Sequence, residues 1–284
     1  MALRINYNFQ ADFTHANLLK TEANMNKSLE RLATGYRINS AADDAAGLYI
    51  ADQLKTYAVS LDQGIRNAQD GVSIAQIGQG ALSEVYNILN DVKSKVIQAS
   101  NTLDTQARQE IQQDINHLID SVSKIFSDTE FNGMNLFASS ATTFTIHYGG
   151  RTNQELAIVI STAQASAGTS STAPSTVTIG TTGYAIDVTS QTSANAAVQT
   201  VDNLIKAVDD LAAKLGSYQI ELEKIISNNQ TTRVNTSEAE SRIRNVDFAA
   251  EMANFTKNQI LMQSGTAMLA QANQLPQLVL QLLR

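Results

Sequence analysis

Three histidines and the adjacent carboxylates Asp43 and Asp44 are residues here whose types could support acid–base or metal chemistry. His15, His117 and His147 lie far apart in the chain, and no His-Glu-x-x-His run sets two imidazoles on one helical face. They read as ordinary surface or interface histidines. Asp43 and Asp44 stand side by side in the loop TGYRINSAADDAAG, residues 34–47. Paired carboxylates can exchange protons with a substrate. Their place just ahead of a long apolar pattern suits helix capping better, because free N–H groups and the helix dipole there both favour a negative side chain. Ser40 is a further candidate for the same cap. No Ser/His/Asp arrangement stands out, and the glycines from 64 to 80 do not follow the phosphate-binding pattern G-x-x-x-x-G-K. The chain has no cysteine, which excludes disulfides, thiol catalysis and Cys-based zinc sites. Neither a cofactor nor a metal is expected, and no enzymatic activity.

The elements that carry these residues are helices. In the last forty-four residues Phe248, Phe255, Met262 and Leu269 recur every seven positions. Val246, Ala253, Ile260 and Ala267 repeat on a neighbouring line, so both lines are expected on one side of a helix, as a wide apolar stripe. The final Leu275, Leu278, Val279, Leu280, Leu282 and Leu283 add hydrophobic surface, and Pro276 is expected to break the helix near Leu275. The first forty residues have the same character. Leu18, Met25 and Leu32 are seven apart, Leu29 lies beside them, and Leu3, Ile5, Phe9 and Phe13 extend the apolar side toward the start. Gly35 is placed to end that helix as a C-cap.

Between these ends the spacing is that of coiled coils. Leu54, Leu61, Ala68, Ala75, Leu82, Leu89, Val96 and Leu103 form one seven-residue series, and Val85, Val92 and Ala99 form its companion. On the companion line the earlier positions are Tyr57, Gly64, Gly71 and Gly78. Glycine costs roughly 1 kcal/mol against alanine in a helix. The series therefore marks either a locally weak helix or a place where another element comes close. A helix from 45 to 100 would be on the order of 80 Å long. A second helix carries Ala107, Ile111, Ile115, Leu118, Val122 and Ile125, and a short link makes it the antiparallel neighbour of the first. Val201, Leu204, Val208, Leu211, Leu215, Tyr218, Leu222 and Ile225 resume the pattern in a helix expected to continue, in more polar form, through SNNQTTRVNTSEAESR to the final stretch.

Residues 138–196 differ: 22 of the 59 are Ser or Thr. Phe144, Ile146 and Tyr148 alternate, as do Leu156, Ile158 and Ile160, with Gly149-Gly150 between them, which predicts a hairpin. Val177 and Ile179, then Tyr184, Ile186 and Val188, suggest a weaker second hairpin around Gly180 to Gly183. The run 161–176 reads as an exposed loop.

These patterns predict a mainly α fold: an elongated rod of long antiparallel, coiled-coil-like helices from both halves of the chain, with a small β-hairpin insert at the tip. The net charge of −7 argues against nucleic acid as the main partner. No run of about 18 apolar residues exists to span a membrane, and the start of the chain lacks the apolar core of a cleaved signal peptide. Two apolar stripes at the chain ends, with nothing else to cover them, predict self-association, and repeated contacts that do not close make an open helical polymer.

The ends also carry a resemblance. SLERLATGYRINSAADDAAGLYIADQL from Ser28 to Leu54, then GIRNAQDGVSIAQIGQGAL, and the final stretch from Ser241 to Arg284, are similar to bacterial flagellin. The likeness covers about residues 1–137 and 197–284. It implies a filament subunit, with 1–43 plus 241–284 as an inner terminal helical domain, 44–140 plus 190–240 as a helical rod with a β-hairpin, and 141–189 as a short solvent-exposed insert. It implies self-assembly through Leu3, Ile5, Phe9, Leu18, Met25, Leu29, Leu32, Phe248, Phe255, Ile260, Met262, Leu269, Leu278, Leu280 and Leu283. It implies other partners: an export chaperone on the C-terminal helix, and the filament cap and hook–filament junction proteins. The protein would be extracellular, exported through the flagellar type III route without a cleaved signal peptide. A flagellar junction or hook-associated protein with similar ends is the alternative. Family members sensed by the host flagellin-sensing toll-like receptor usually carry L-x-R-V-R-E-L on the long helix. Here the aligned run is Leu89, Asn90, Asp91, Val92, Lys93, Ser94, Lys95, with Asp114 on the next helix. An acid at the first arginine's place is expected to weaken that recognition.

Overall fold

Asn8 starts the first helix, α1 (Phe9–Thr34), by accepting the Ala11 N–H on its side-chain oxygen at 3.2 Å. Gly35 ends it in the left-handed region (φ 75°), its N–H bonded to the Arg31 carbonyl at 2.9 Å, as its position predicts. The structure is a computed structural model, and it describes residues 8–137, 142–160, 164–165, 177–178 and 186–282.

The cap of α2 (Ala45–Asn101) is Asp44, whose carboxylate accepts the Gly47 N–H at 2.9 Å. Ser40 does not cap it. Its N–H, and that of Asn39, each reach the Asp43 carboxylate at 3.2 Å, so Asp43 organises the preceding loop while Asp44 serves the helix. The chain turns after Asn101, and Asp104 caps α3 (Thr105–Asp128) through the Gln106 N–H at 3.1 Å. Leu103, the last member of the seven-residue series, falls in this turn and is 89% exposed. The series outlasts the helix by one member. Asn132 and Gly133, both with positive φ, join the short strands β1 (Glu130–Phe131) and β2 (Met134–Asn135).

The predicted hairpin is formed by β3 (Thr142–His147) and β4 (Glu155–Ile160), antiparallel, with Phe144 opposite Ile158 and Ile146 opposite Leu156. The second one differs. β5 (Gln164–Ala165) pairs with β6 (Val177–Thr178), so Val177 turns back to Ala165 and not forward to Ile186 and Val188. Ile179, Tyr184 and most of 161–176 lie outside the described residues.

α4 (Gln191–Arg244) reaches the final stretch as the pattern implied, and α5 (Phe248–Leu282) follows as a separate helix. Asp247 makes the break, accepting the Ala249 and Ala250 N–H groups at 2.9 and 3.2 Å. Farther on, α5 runs unbroken through Pro276 to Leu282, against the expected stop near Leu275. The carbonyl that the proline leaves without its helical donor is that of Ala272, and it is bonded from elsewhere: Asn8 Nδ2 donates to it at 2.9 Å.

The chain divides into two compact units, Met1–Ala58 with Val234–Arg284, and Val59–Arg233. The second is built around an apolar core shared by α2, α3 and α4. Leu82, Val85, Leu89, Val92, Val96 and Ala99 of α2 meet Ile111, Ile115, Ile119, Val122 and Phe126 of α3, and Val201, Leu204, Val208, Leu211 and Leu215 of α4. Leu136, Phe137, Phe144, Ile158 and Ile160 extend this core under the hairpins. The α2 glycines settle the alternatives that their spacing left open. A Cβ at Gly64 would stand 2.6 Å from the Tyr148 carbonyl carbon, and one at Gly78 would stand 2.8 Å from Leu215 Cδ1. They are places of close approach.

Candidate functional site

The surface that could act on other molecules lies on the unit formed by the two ends. α1 and α5 pair antiparallel: Arg31 faces Glu251 at 3.7 Å, a Cβ at Gly265 would stand 2.8 Å from Leu18 Cδ1, and Asn8 meets Ala272. On α1 the less exposed positions are Ala11, Thr14, Leu18, Thr21, Met25, Ser28 and Leu32, with Arg31 beside the last; on α5 they are Glu251, Phe255, Asn258, Met262, Gly265, Leu269 and Ala272. Both sets step by three and four, the signature of a coiled-coil seam. The large residues of each set sit on one line, and small or polar residues sit on the other, so the two helices come close.

That seam uses only half of the predicted stripe. Phe255, Met262 and Leu269 turn toward α1, whereas Ala253, Ile260 and Ala267 face outward, and Ile260 is 60% exposed. Phe248, Met252, Leu261 and Met268 are exposed with it, and α1 exposes Phe9, Phe13, Leu19 and Leu29. Phe9 and Phe13 stack on each other with ring centroids 6.1 Å apart. Each large apolar side chain left in water forgoes about 1.5–3 kcal/mol that full burial would supply, and exposed apolar surface on this scale marks an interaction surface.

The residues named from the sequence thus separate. Leu18, Met25, Leu32, Phe255, Met262 and Leu269 lie in the seam within the chain. Phe9, Leu29, Phe248 and Ile260 are exposed. Leu278 and Leu280 fall on the last turns of α5, and Leu3, Ile5 and Leu283 lie outside the described residues.

Two ion-bearing loops hold the helix ends. The Lys27 ammonium lies 2.7 Å from Asp43, and this bond, with the Asn39 and Ser40 N–H groups, lowers the Asp43 pKa to about 2. The Arg37 and Val246 N–H groups bond the carbonyls of Arg244 and Gly35 at 2.6 and 3.0 Å, a short bridge between the α1–α2 loop and the α4–α5 break. The Arg244 guanidinium lies 4.6 Å from the centre of the Tyr36 ring and 3.3 Å from Asp52. Sequence reasoning missed this bridge, and also Asn8, Ser28, Glu251 and Ala272 in the seam. The small and polar residues at three–four spacing were the available signal.

On the other unit, the run aligned with the receptor motif is distributed unevenly. Leu89 is buried in the core and Asp91 is exposed. Lys93 pairs with Asp202 at 2.7 Å and Lys95 with Asp114 at 2.8 Å. The Lys95 hydrogen bond holds the Asp114 carboxyl below its ordinary range. His147, with Asn67, Asp70, Phe131 and Met134, lines a cleft of about 390 Å³, and its imidazole lies 3.3 Å from Glu155. Among the described residues no cluster of His, Asp and Glu has metal-binding geometry.

Comparison with known proteins gives matches at both ends. Residues 5–142 match the family described as bacterial flagellin N-terminal helical region, and residues 198–283 the bacterial flagellin C-terminal helical region. The chain is 37% identical over 281 residues to a flagellin of Halalkalibacterium halodurans, covering 99% of each. It is 38% identical over 305 residues to a flagellin of Bacillus subtilis, covering 99% of this chain and all of that one. It is 36% identical over 292 residues to a flagellar filament 33 kDa core protein of Treponema phagedenis, covering 99% of each.

Proposed function

The chain belongs to the bacterial flagellin family, and from that premise we propose how it builds a filament: copies join through the outer faces of α1 and α5. Membership makes the protein a structural subunit of the extracellular flagellar filament, serving motility, and not an enzyme. The observation that carries the assembly reading is the exposed set Phe9, Phe13, Leu29, Phe248, Ile260 and Met268, all on two helices that already cover each other on their other side. A further copy supplies apolar partners of the same kind from a different part of this surface. Contacts between unlike patches that do not close on themselves extend into a helical polymer.

The finer organisation we propose is the one that the resemblance implies. Residues 1–43 with 241–284 form the inner layer, 44–140 with 190–240 the surrounding helical layer, and 141–189 a small insert toward solvent. Leu3, Ile5, Leu278, Leu280 and Leu283 are proposed to take part in the same assembly. A chaperone holds the C-terminal helix before export, the route is the flagellar type III apparatus, and the cap and junction proteins meet the same terminal helices. Support for the chaperone comes from the apolar outer face of α5, which needs cover before copies assemble.

Purified protein added to sonicated filament fragments, followed by electron microscopy, tests the function. Long tubes growing from the fragments are expected. Short rings or end-plugs that stop growing would assign the chain to a junction role instead.

A further inference from the structure

We infer that Asn8 is the positioning residue that carries α5 unbroken past Pro276, and so couples docking of the chain's start to the shape of its end. The inference rests on the filament reading for its consequence, since it concerns the α5 segment that leads to the chain terminus.

The argument starts from what proline removes. In an α-helix the Ala272 carbonyl takes the N–H of residue 276, and Pro276 has none. A helix that meets this position ordinarily kinks or ends, because the orphaned carbonyl seeks another donor and the ring crowds the preceding turn. Here Ala272 is buried against α1, where water is a poor substitute. Asn8 Nδ2 supplies the missing donor at 2.9 Å.

The same side chain is held at its other end. Asn8 Oδ1 accepts the Ala11 N–H at 3.2 Å, which makes it the cap of α1. The two amide atoms therefore have opposite, fixed duties. A flipped amide would set oxygen against the Ala272 carbonyl and nitrogen against the Ala11 N–H. Asn meets both demands. Asp keeps the cap and loses the donor, Ser keeps the cap on a hydroxyl one bond short of the Asn8 amide nitrogen that meets the Ala272 carbonyl, and Gln has the wrong reach for the cap. One residue thus closes the first turn of α1 and repairs the proline turn of α5, and it does so only in the register that puts Asn8 beside Ala272. Residues 277–282 continue as helix because that repair is made.

A double substitution cycle separates this role from ordinary capping. Asn8→Ser retains the cap; Pro276→Ala restores the helical N–H and makes the Asn8 donor dispensable. In seeded growth on filament fragments, N8S is expected to raise the critical concentration about tenfold, the scale of a buried carbonyl left without a donor. P276A is expected to stay within about twofold of the wild type, and N8S/P276A within about twofold of P276A. Hydrogen exchange at the amides of 277–282, in free and assembled chains, is expected to quicken in N8S alone. Equal losses from N8S in both proline backgrounds, or exchange at 277–282 equal in N8S and wild type, would overturn the inference. A wild type that does not grow on seeds would sink the filament reading, and exchange would still decide the role of Asn8.

Discussion

The Tyr148 carbonyl, at the turn of the β3–β4 hairpin, fills the space that a side chain on Gly64 would need, and Asn229 of α4 donates to the same oxygen at 2.6 Å. Hairpin, α2 and α4 thus share one contact, and it is backbone on two sides, so none of the three can yield cheaply. Gly64→Ala is expected to cost about 1–3 kcal/mol through overpacking, in spite of alanine's better helix propensity. Gly80→Ala, with nothing within 4 Å of an added Cβ, is expected to gain about 0.5–1 kcal/mol. Urea unfolding of the two variants checks the opposite signs.

Asp43 should register in the acid stability of assembled protein. Its folded pKa of about 2 lies below the ordinary value of 3.8, so its contribution is complete above that value and is lost as pH falls toward 2. Asp43→Asn is therefore expected to lower the disassembly temperature of filaments at neutral pH. The difference from wild type should shrink below about pH 4 and vanish near pH 2. A gap that stays constant across this range would assign the effect to something other than the Asp43 charge.

Ile260→Asp places a charge on the outward line of α5, which α1 does not cover. Seeded growth is expected to cease, while the unfolding transition of residues 59–233 stays where it is. Growth at the wild-type rate would exclude this line of α5 from subunit contacts.

Truncation after Thr236 removes α5 and leaves α1 without its seam. The product is expected to remain soluble and folded over residues 59–233, which form a compact unit of their own, and to add to no filament. Sedimentation and circular dichroism read both parts. Filaments grown from the truncated chain would refute assembly through the paired ends.

Weak stimulation of the flagellin-sensing toll-like receptor is expected. Asp91 presents an acid where the recognised pattern has arginine, and Lys93 and Lys95 are engaged by Asp202 and Asp114. A dose–response in reporter cells measures it, with Asp91→Arg expected to raise the potency. Full potency from the unaltered chain would overturn this.

Which parts were legible in the sequence follows from what kind of constraint made them. Leu82, Val85, Leu89 and Val92 could be placed because a buried helix face repeats, and repetition is visible in one dimension. The first hairpin could be placed because Phe144, Ile146, Leu156 and Ile158 alternate about a glycine pair. Asp247 was missed because a cap is one residue acting on two N–H groups, and nothing around it repeats. The helix through Pro276 was missed for a stronger reason. Local propensity says stop, and the residue that reverses it lies 264 positions from Ala272, whose carbonyl it bonds. The splitting of the terminal stripe between seam and outer face had the same origin. Both lines are apolar, and only a partner helix decides which one turns inward.

The bridge between Gly35–Ile38 and Ile243–Val246 also has a bearing on timing. It joins residues more than 200 positions apart, as does each contact of α1 with α5. A ribosome delivers the chain from the N-terminal side, so residues 59–233 can reach their own core before α5 is made. Throughout that interval α1 has no mate, and its Leu18, Met25 and Leu32 lack the seam that half-buries them. α1 is thus made before its partner and settles only after α5 has followed, so the cell must keep it unattached in between.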